Sequence, residues 1–98
     1  MENQNYLLSF FSRVEKDYRI NKAHMSVYMA LYYLWSLQGF KGLLYIYSVQ
    51  ILPIAKISTC GTYYTVMKQL HEYGYLSYEP SFYRKRPSKV NLETSVPS

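Results

Sequence analysis

The stretch STCGTYYTVMKQLHEYGYLSYEP, residues 58–80, constrains the fold of this chain more than any other. Tyr63, Val66, Met67 and Leu70 recur at i, i+3, i+4 and i+7, which predicts an amphipathic helix over 59–73. Ser58 or Thr59 supplies a hydroxyl N-cap, and Gly74 stops the helix as the residue that enters left-handed backbone without strain. YLSYE then switches to the two-residue period of a strand over 75–79. KVNLE alternates again over 89–93, with Val90 and Leu92 on one face. A capped helix, a glycine corner and a hairpin in 36 residues leave few ways to build a core.

The rest of the chain reads as helices. Tyr6, Leu7, Phe10, Phe11 and Val14 give a helical stripe within 3–17, with Arg13, Lys16 and Asp17 on the wet side. Asn21 is placed to cap a second helix over 22–38, whose main stripe is Ala23, Val27, Ala30, Leu31, Leu34 and Leu37. Met25, Tyr28, Met29, Tyr32 and Trp35 form a second apolar surface, so this helix is expected to be covered on two sides. Gly39 ends it. KGLLYIYS predicts a short strand over 43–47, and Ser48 is placed to cap a short helix through VQILPIAK despite Pro53, which lacks an N–H donor.

Ninety-eight residues make one domain, and a composition 49% hydrophobic and 18% aromatic is that of a folded chain. Thirteen tyrosines suit packing and surface hydrogen bonding alike. From Lys41 onward seven basic residues meet three acidic ones, carrying +4 of the net +5. Such an excess fits either a solvated basic surface or a polyanion partner. RKRPSK concentrates four cations, Arg84, Lys85, Arg86 and Lys89, where the hairpin tip is expected. Cys60 is the single cysteine, which excludes an intrachain disulfide and fits a reducing interior. MENQNYLLSFFSRVEK has neither the basic start nor the cleavage site of a secretory signal. The greasiest run is broken by Gln38, Gly39, Lys41 and Gly42 before it reaches the roughly 20 apolar residues of a membrane span. The expectation is a soluble, cytoplasmic protein. His24 and His71 lack partners at metal-ligand spacing, and no phosphate-cradling glycine loop or nucleophile–base pair is present. No enzymatic activity, cofactor or metal is expected.

The order helix, helix, strand, short helix, helix, strand, strand, together with ILPIAKISTCGTYYTVMKQLHEYGYLSY, resembles a winged helix-turn-helix DNA-binding domain over about residues 20–93. KIS…TYY…MKQLHEYGYLSYEPS…SKVNL is similar to small winged-helix regulators encoded by bacterial conjugative transposons and related mobile elements. The resemblance implies a mainly α fold with a small β-hairpin wing (α+β), order α-α-β-α-α-β-β. It divides the chain into an N-terminal helix at 1–20, a winged-helix domain at 21–93 and a tail at 94–98. It also implies double-stranded DNA as partner, bound in the bacterial cytoplasm by a regulator or accessory factor. The recognition helix would present Ser58, Thr59, Thr62, Tyr64, Thr65 and Lys68 to the major groove. It departs from a strongly basic reader: no arginine, asparagine or glutamine occupies its first two turns. Tyr83, Arg84, Lys85, Arg86 and Lys89 of the wing would grip the flanking backbone. Palindromic sites need paired subunits, and Tyr6, Phe10, Phe11, Tyr28, Tyr32 and Trp35 are the candidate homodimer surface, unless the two helices only pack on each other. The competing expectation is a winged-helix protein-interaction module of a replication or recombination complex.

Overall fold

The computed structural model describes residues 2–80 and 86–92, with side chains from Leu8 onward. Seven elements occur among them, in the order expected: α1 (Glu2–Val14), α2 (Lys22–Leu37), β1 (Leu44–Ile46), α3 (Ser48–Ala55), α4 (Cys60–Glu72), β2 (Ser77–Glu79) and β3 (Ser88–Asn91). The fold is α+β: four helices and a three-stranded antiparallel sheet of order β1-β3-β2.

The helix ends follow from specific residues. Asn21 Oδ1 accepts from the Ala23 and His24 N–H groups, and His24 Nδ1 accepts in return from the Asn21 N–H, closing a capping box. At the other end of α2, Gly39 takes φ +76°, its N–H reaching Ser36 O while the Phe40 N–H reaches Trp35 O. These paired bonds satisfy the last carbonyls of the helix. The same motif closes α4, where Gly74 (φ +84°) bonds His71 O and Tyr75 bonds Leu70 O. The cap of α3 lies one residue before the expected one: Tyr47 is the N-cap, Ser48 is the first helical residue, and the Gln50 side chain accepts from the Tyr47 N–H. Pro53 is accommodated inside it.

The sheet joins distant segments. Leu44, Val90 and Tyr78 lie in one cross-strand row and Tyr45, Lys89 and Glu79 in the next. Because strand side chains alternate, the first row faces the core and the second faces out. Leu44, Ile46 and Val90 are accordingly buried and Tyr45, Lys89 and Glu79 exposed. The hairpin expected from sequence is thus extended by β1 along the far side of β3. The core beneath combines Val27, Leu31 and Trp35 of α2 with Ile51 of α3 and Tyr63, Met67 and Leu70 of α4. The Ser26 hydroxyl donates to Ala55 O, tying α3 to α2. Trp35 Nε1 donates to Gly42 O, and the Gln38 amide donates to Lys41 O and Leu43 O, fixing the approach to β1.

Helix α1 docks through one aromatic ring. Phe10 lies parallel to Tyr28 with centroids 3.8 Å apart and meets Tyr75 edge-on at 5.5 Å. Arg13 then donates to Gly74 O (3.0 Å) and Tyr73 O (3.1 Å) while lying over the Tyr75 ring. The turn after α1 adds Asp17, which accepts from Tyr75 Oη at 2.8 Å and holds Arg19 by two 2.8 Å bonds.

This packing corrects the expected dimer surface. Phe10, Tyr28 and Trp35 have no exposed surface because they fill the core of a single chain. Tyr32 is half-buried against Trp35 and Phe40, Phe11 is partly exposed, and the Tyr6 side chain lies outside those described. Leu37, expected on the core stripe, is 67% exposed. The six-residue set therefore does not form one free face.

Two expectations follow. Phe10→Ala removes a fully buried ring and should lower unfolding stability by about 3–5 kcal/mol. Leu8→Ala, on the exposed side of α1, should stay within about 0.5 kcal/mol; equal effects in urea titrations would show that α1 is not docked as described. The Arg19 guanidinium, opposed by burial and aided by the Tyr75 hydroxyl, holds the Asp17 carboxyl far below its ordinary range. A depressed folded pKa stabilises fully above the unfolded value near pH 4, and the contribution is lost as pH falls below that. The stability gap between wild type and Asp17→Asn should therefore be largest at neutral pH and shrink on acidification below about pH 4. A gap independent of pH between 7 and 2.5 would contradict this.

Candidate nucleic-acid interface

The start of α4 is built by a tight connection from α3. Lys56 ends α3 in the left-handed region (φ 60°, ψ 40°), and the Ile57 N–H reaches back to Leu52 O. The chain then extends to Thr59, the N-cap, whose Oγ1 accepts from the Thr62 N–H (3.2 Å) and donates to Thr62 Oγ1 (3.0 Å). Of the two hydroxyls considered for the cap, Thr59 is used. Both it and Thr62 are engaged with each other rather than presented singly. Ser58 is exposed beside them.

Helix α4 turns Tyr63, Val66, Met67 and Leu70 into the core, as its period predicts. Burial pushes the Tyr63 hydroxyl well above the ordinary tyrosine range, so it stays neutral. Successive turns of the opposite face carry Gly61, Thr65 and Lys68, flanked by Thr62 and Tyr64, all exposed. Tyr64 is 48% exposed and rests edge-on against Tyr63 at 5.1 Å. This face holds no carboxylate until Glu72. Cys60 is exposed, with its thiol 4.0 Å from Ser48 Oγ. His71, expected to face solvent or a helix neighbour, accepts from the Tyr78 N–H at 3.0 Å and joins α4 to β2.

A polar groove missed by the sequence reading runs along one edge of this face. It is lined by Asn21, Ala23 and His24 of the α2 start and by Gly61, Thr62, Thr65, Val66 and Gln69 of α4. His24 is buried at its base, with Nε2 2.7 Å from Gln69 Oε1. Since Nδ1 accepts from the Asn21 N–H, the arrangement fits the tautomer whose Nε2 carries the hydrogen and donates to Gln69. The two residues are 45 positions apart, and neither carries a local signal for the other.

The basic loop is described in part. Tyr83, Arg84 and Lys85 lie outside the described residues. Arg86 is exposed at the end of the β2–β3 connection. Lys89, counted with the hairpin-tip cations and also as the first residue of the 89–93 strand, belongs to β3, the central strand, on its outer face between Tyr45 and Glu79. Strand alternation explains the placement: Val90 must face inward, so its neighbour faces out. Lys89 thus stands opposite a carboxylate-bearing neighbour across the sheet.

Among the described residues no group of three or more histidine, cysteine, aspartate or glutamate side chains converges to hold a metal, and no helix is long and apolar enough to cross a membrane. The chemistry available is hydrogen bonding, aromatic contact and positive charge. Gln69 is the link on which the groove depends. Gln69→Leu would leave the buried imidazole without its acceptor and should lower stability by about 1–3 kcal/mol in urea unfolding. A variant as stable as wild type would show that the His24–Gln69 bond contributes nothing.

No family model, no curated protein and no solved structure matches the chain.

Proposed function

We propose that this chain is a non-enzymatic winged helix-turn-helix protein that binds double-stranded DNA, as a regulator or accessory factor of a bacterial mobile element. Helix α4 enters the major groove, and the β2–β3 connection acts as a wing along the flanking backbone. The observation that carries the reading is the exposed face of α4. Thr65 and Lys68, flanked by Thr62 and Tyr64, stand clear of the core and carry no negative charge over the first turns. A helix of this kind fits the major groove, where hydroxyls meet base edges or phosphates and Lys68 meets the backbone. The net charge of +5 favours a polyanion.

Thr59 and Thr62 bond each other, so their share in recognition is that of a formed helix start rather than of free hydroxyls. Gln69 and Asn21, at the edge of the groove, bring amides near the face that the first turns of α4 lack. That same engagement of the threonines, with the half-exposed Tyr64, favours the competing reading of a protein-interaction module in a replication or recombination complex.

Salt separates the two. Binding through about four phosphate contacts should weaken roughly 100-fold between about 50 and 200 mM salt, because condensed counterions are released. Fluorescence anisotropy with duplex DNA should show this slope for the wild type. Lys68→Ala should reduce its magnitude by about one, and Arg86→Ala/Lys89→Ala by about two. Absence of salt-sensitive binding by the wild type sinks the DNA reading and leaves the protein-interaction one.

A further inference from the structure

Gln69 divides its amide between the fold and the groove. Its Oε1 lies 2.7 Å from Nε2 of His24, which is buried and whose Nδ1 accepts from the Asn21 N–H at the α2 cap. The imidazole Nε2 therefore carries the hydrogen, and the Gln69 atom facing it is the carbonyl oxygen. The amide nitrogen sits on the other branch of the same plane, so fixing the oxygen fixes the direction of its N–H groups. That nitrogen has no hydrogen-bond partner among the described residues and is not enclosed by them. From this polarity we infer that Gln69 is a donor contact for a bound duplex, held in that sense by His24, and that it meets a hydrogen-bond acceptor of DNA. The inference rests on the DNA reading above and adds to it a residue and a polarity.

The setting of the amide fits an acceptor. Gly61, Thr65 and Gln69 recur every four residues of α4 and all line the groove, so Gln69 continues the Thr65 line by one turn. No aspartate or glutamate is among the described residues that line the groove, so a negatively polarised group enters without meeting a carboxylate. Exposed lysines adjoin both walls in sequence: Lys22 stands between Asn21 and Ala23, and Lys68 precedes Gln69.

The bond to His24 also prepares the contact. A free glutamine loses rotamer freedom when it binds, whereas Gln69 is ordered on folding by the bond at its far end. A neutral amide releases no counterion, so its contribution is independent of salt, unlike that of Lys68. A duplex offers the acceptor from two sources. One is a base edge in the major groove, such as guanine N7 and O6 or thymine O4; the other is a phosphate oxygen.

The full chain and its Gln69→Ala, Gln69→Glu and Lys68→Ala variants, bound to a pool of duplexes with randomised centres at low and high salt, test the inference. Circular dichroism confirms that each is folded, and Gln69→Glu keeps an acceptor for His24, so a folded comparison exists even where Gln69→Ala unfolds. Gln69→Ala should weaken binding roughly two- to tenfold, as expected for one neutral hydrogen bond, and leave the salt slope unchanged. Gln69→Glu, which puts an acceptor where the N–H groups stood, should lose at least as much. Lys68→Ala should instead reduce the slope by about one. A loss confined to particular sequences identifies a base edge, and an equal loss across the pool identifies a phosphate oxygen. In nitrogen-15 spectra the Gln69 side-chain amide pair, assigned by its absence from Gln69→Glu, should shift when duplex is added. A wild type that binds duplexes in a salt-sensitive way while folded Gln69→Glu matches it on every sequence overturns the inference and leaves the DNA reading standing. So do Gln69 amide resonances that duplex leaves unmoved. A wild type that binds no duplex removes the DNA reading and this inference with it.

Discussion

The corner at Gly74 is the constraint on which the rest of the structure depends. A helix that ends by a left-handed glycine leaves its last carbonyls pointing at a fixed place, and here that place is occupied by Arg13. The guanidinium joins α1 to the end of α4 while its flat face lies on the next residue, Tyr75. A side chain at position 74 would need both the positive φ and room beside Arg13 Nη2, which lies 3.5 Å from where a Cβ would stand. The corner thus fixes three directions at once: where α4 stops, where β2 starts and where α1 lies. Asp17 reinforces it from outside, and the buried Tyr75 hydroxyl, pushed up to about 12 by burial and by the carboxylate it donates to, remains a donor at any ordinary pH.

The sheet transmits that placement. Strand β3 lies between β1 and β2, so both arms of the hairpin are tied to a strand that enters directly from α2. Trp35 and Gln38 hold the α2 end of that path through Gly42, Lys41 and Leu43. The cations near the connection sit in different settings. Lys89 stands on a paired central strand, whereas Arg86 lies in the connection itself.

Local signals in the sequence were enough for much of this. The α4 stripe, its stop at Gly74 and the alternation around Val90 depend on neighbours within a few residues, and all are found where the periods place them. What was illegible is non-local. Nothing in LYI says that its partner is SKV, and only that pairing makes β3 the central strand of a sheet rather than one arm of a hairpin. The groove formed by Asn21, His24 and Gln69 depends on a bond spanning 45 positions, although Asn21 was readable as a cap. Helix α2 misled for another reason. It is apolar on nearly every side, so its period identifies a helix but does not say which side is inside. Tyr28 and Trp35 proved internal and Leu37 external because α1, α3 and α4 cover only part of its circumference.

That incomplete covering connects the two ends of the functional reading. On the proposed reading α4 offers one lysine and a few hydroxyls, and each good base contact discriminates by only about 1–3 kcal/mol. Contacts of that number give a weak, poorly selective binder unless two copies act together, when the second is held at high effective concentration by the first. Helix α2 has two unlike sides: one packs on α4, and the other exposes Met29, Tyr33 and Leu37, which are uncovered among the described residues. From Ala23 to its end α2 carries no aspartate, glutamate, lysine or arginine, whereas +4 of the net +5 lies from Lys41 onward.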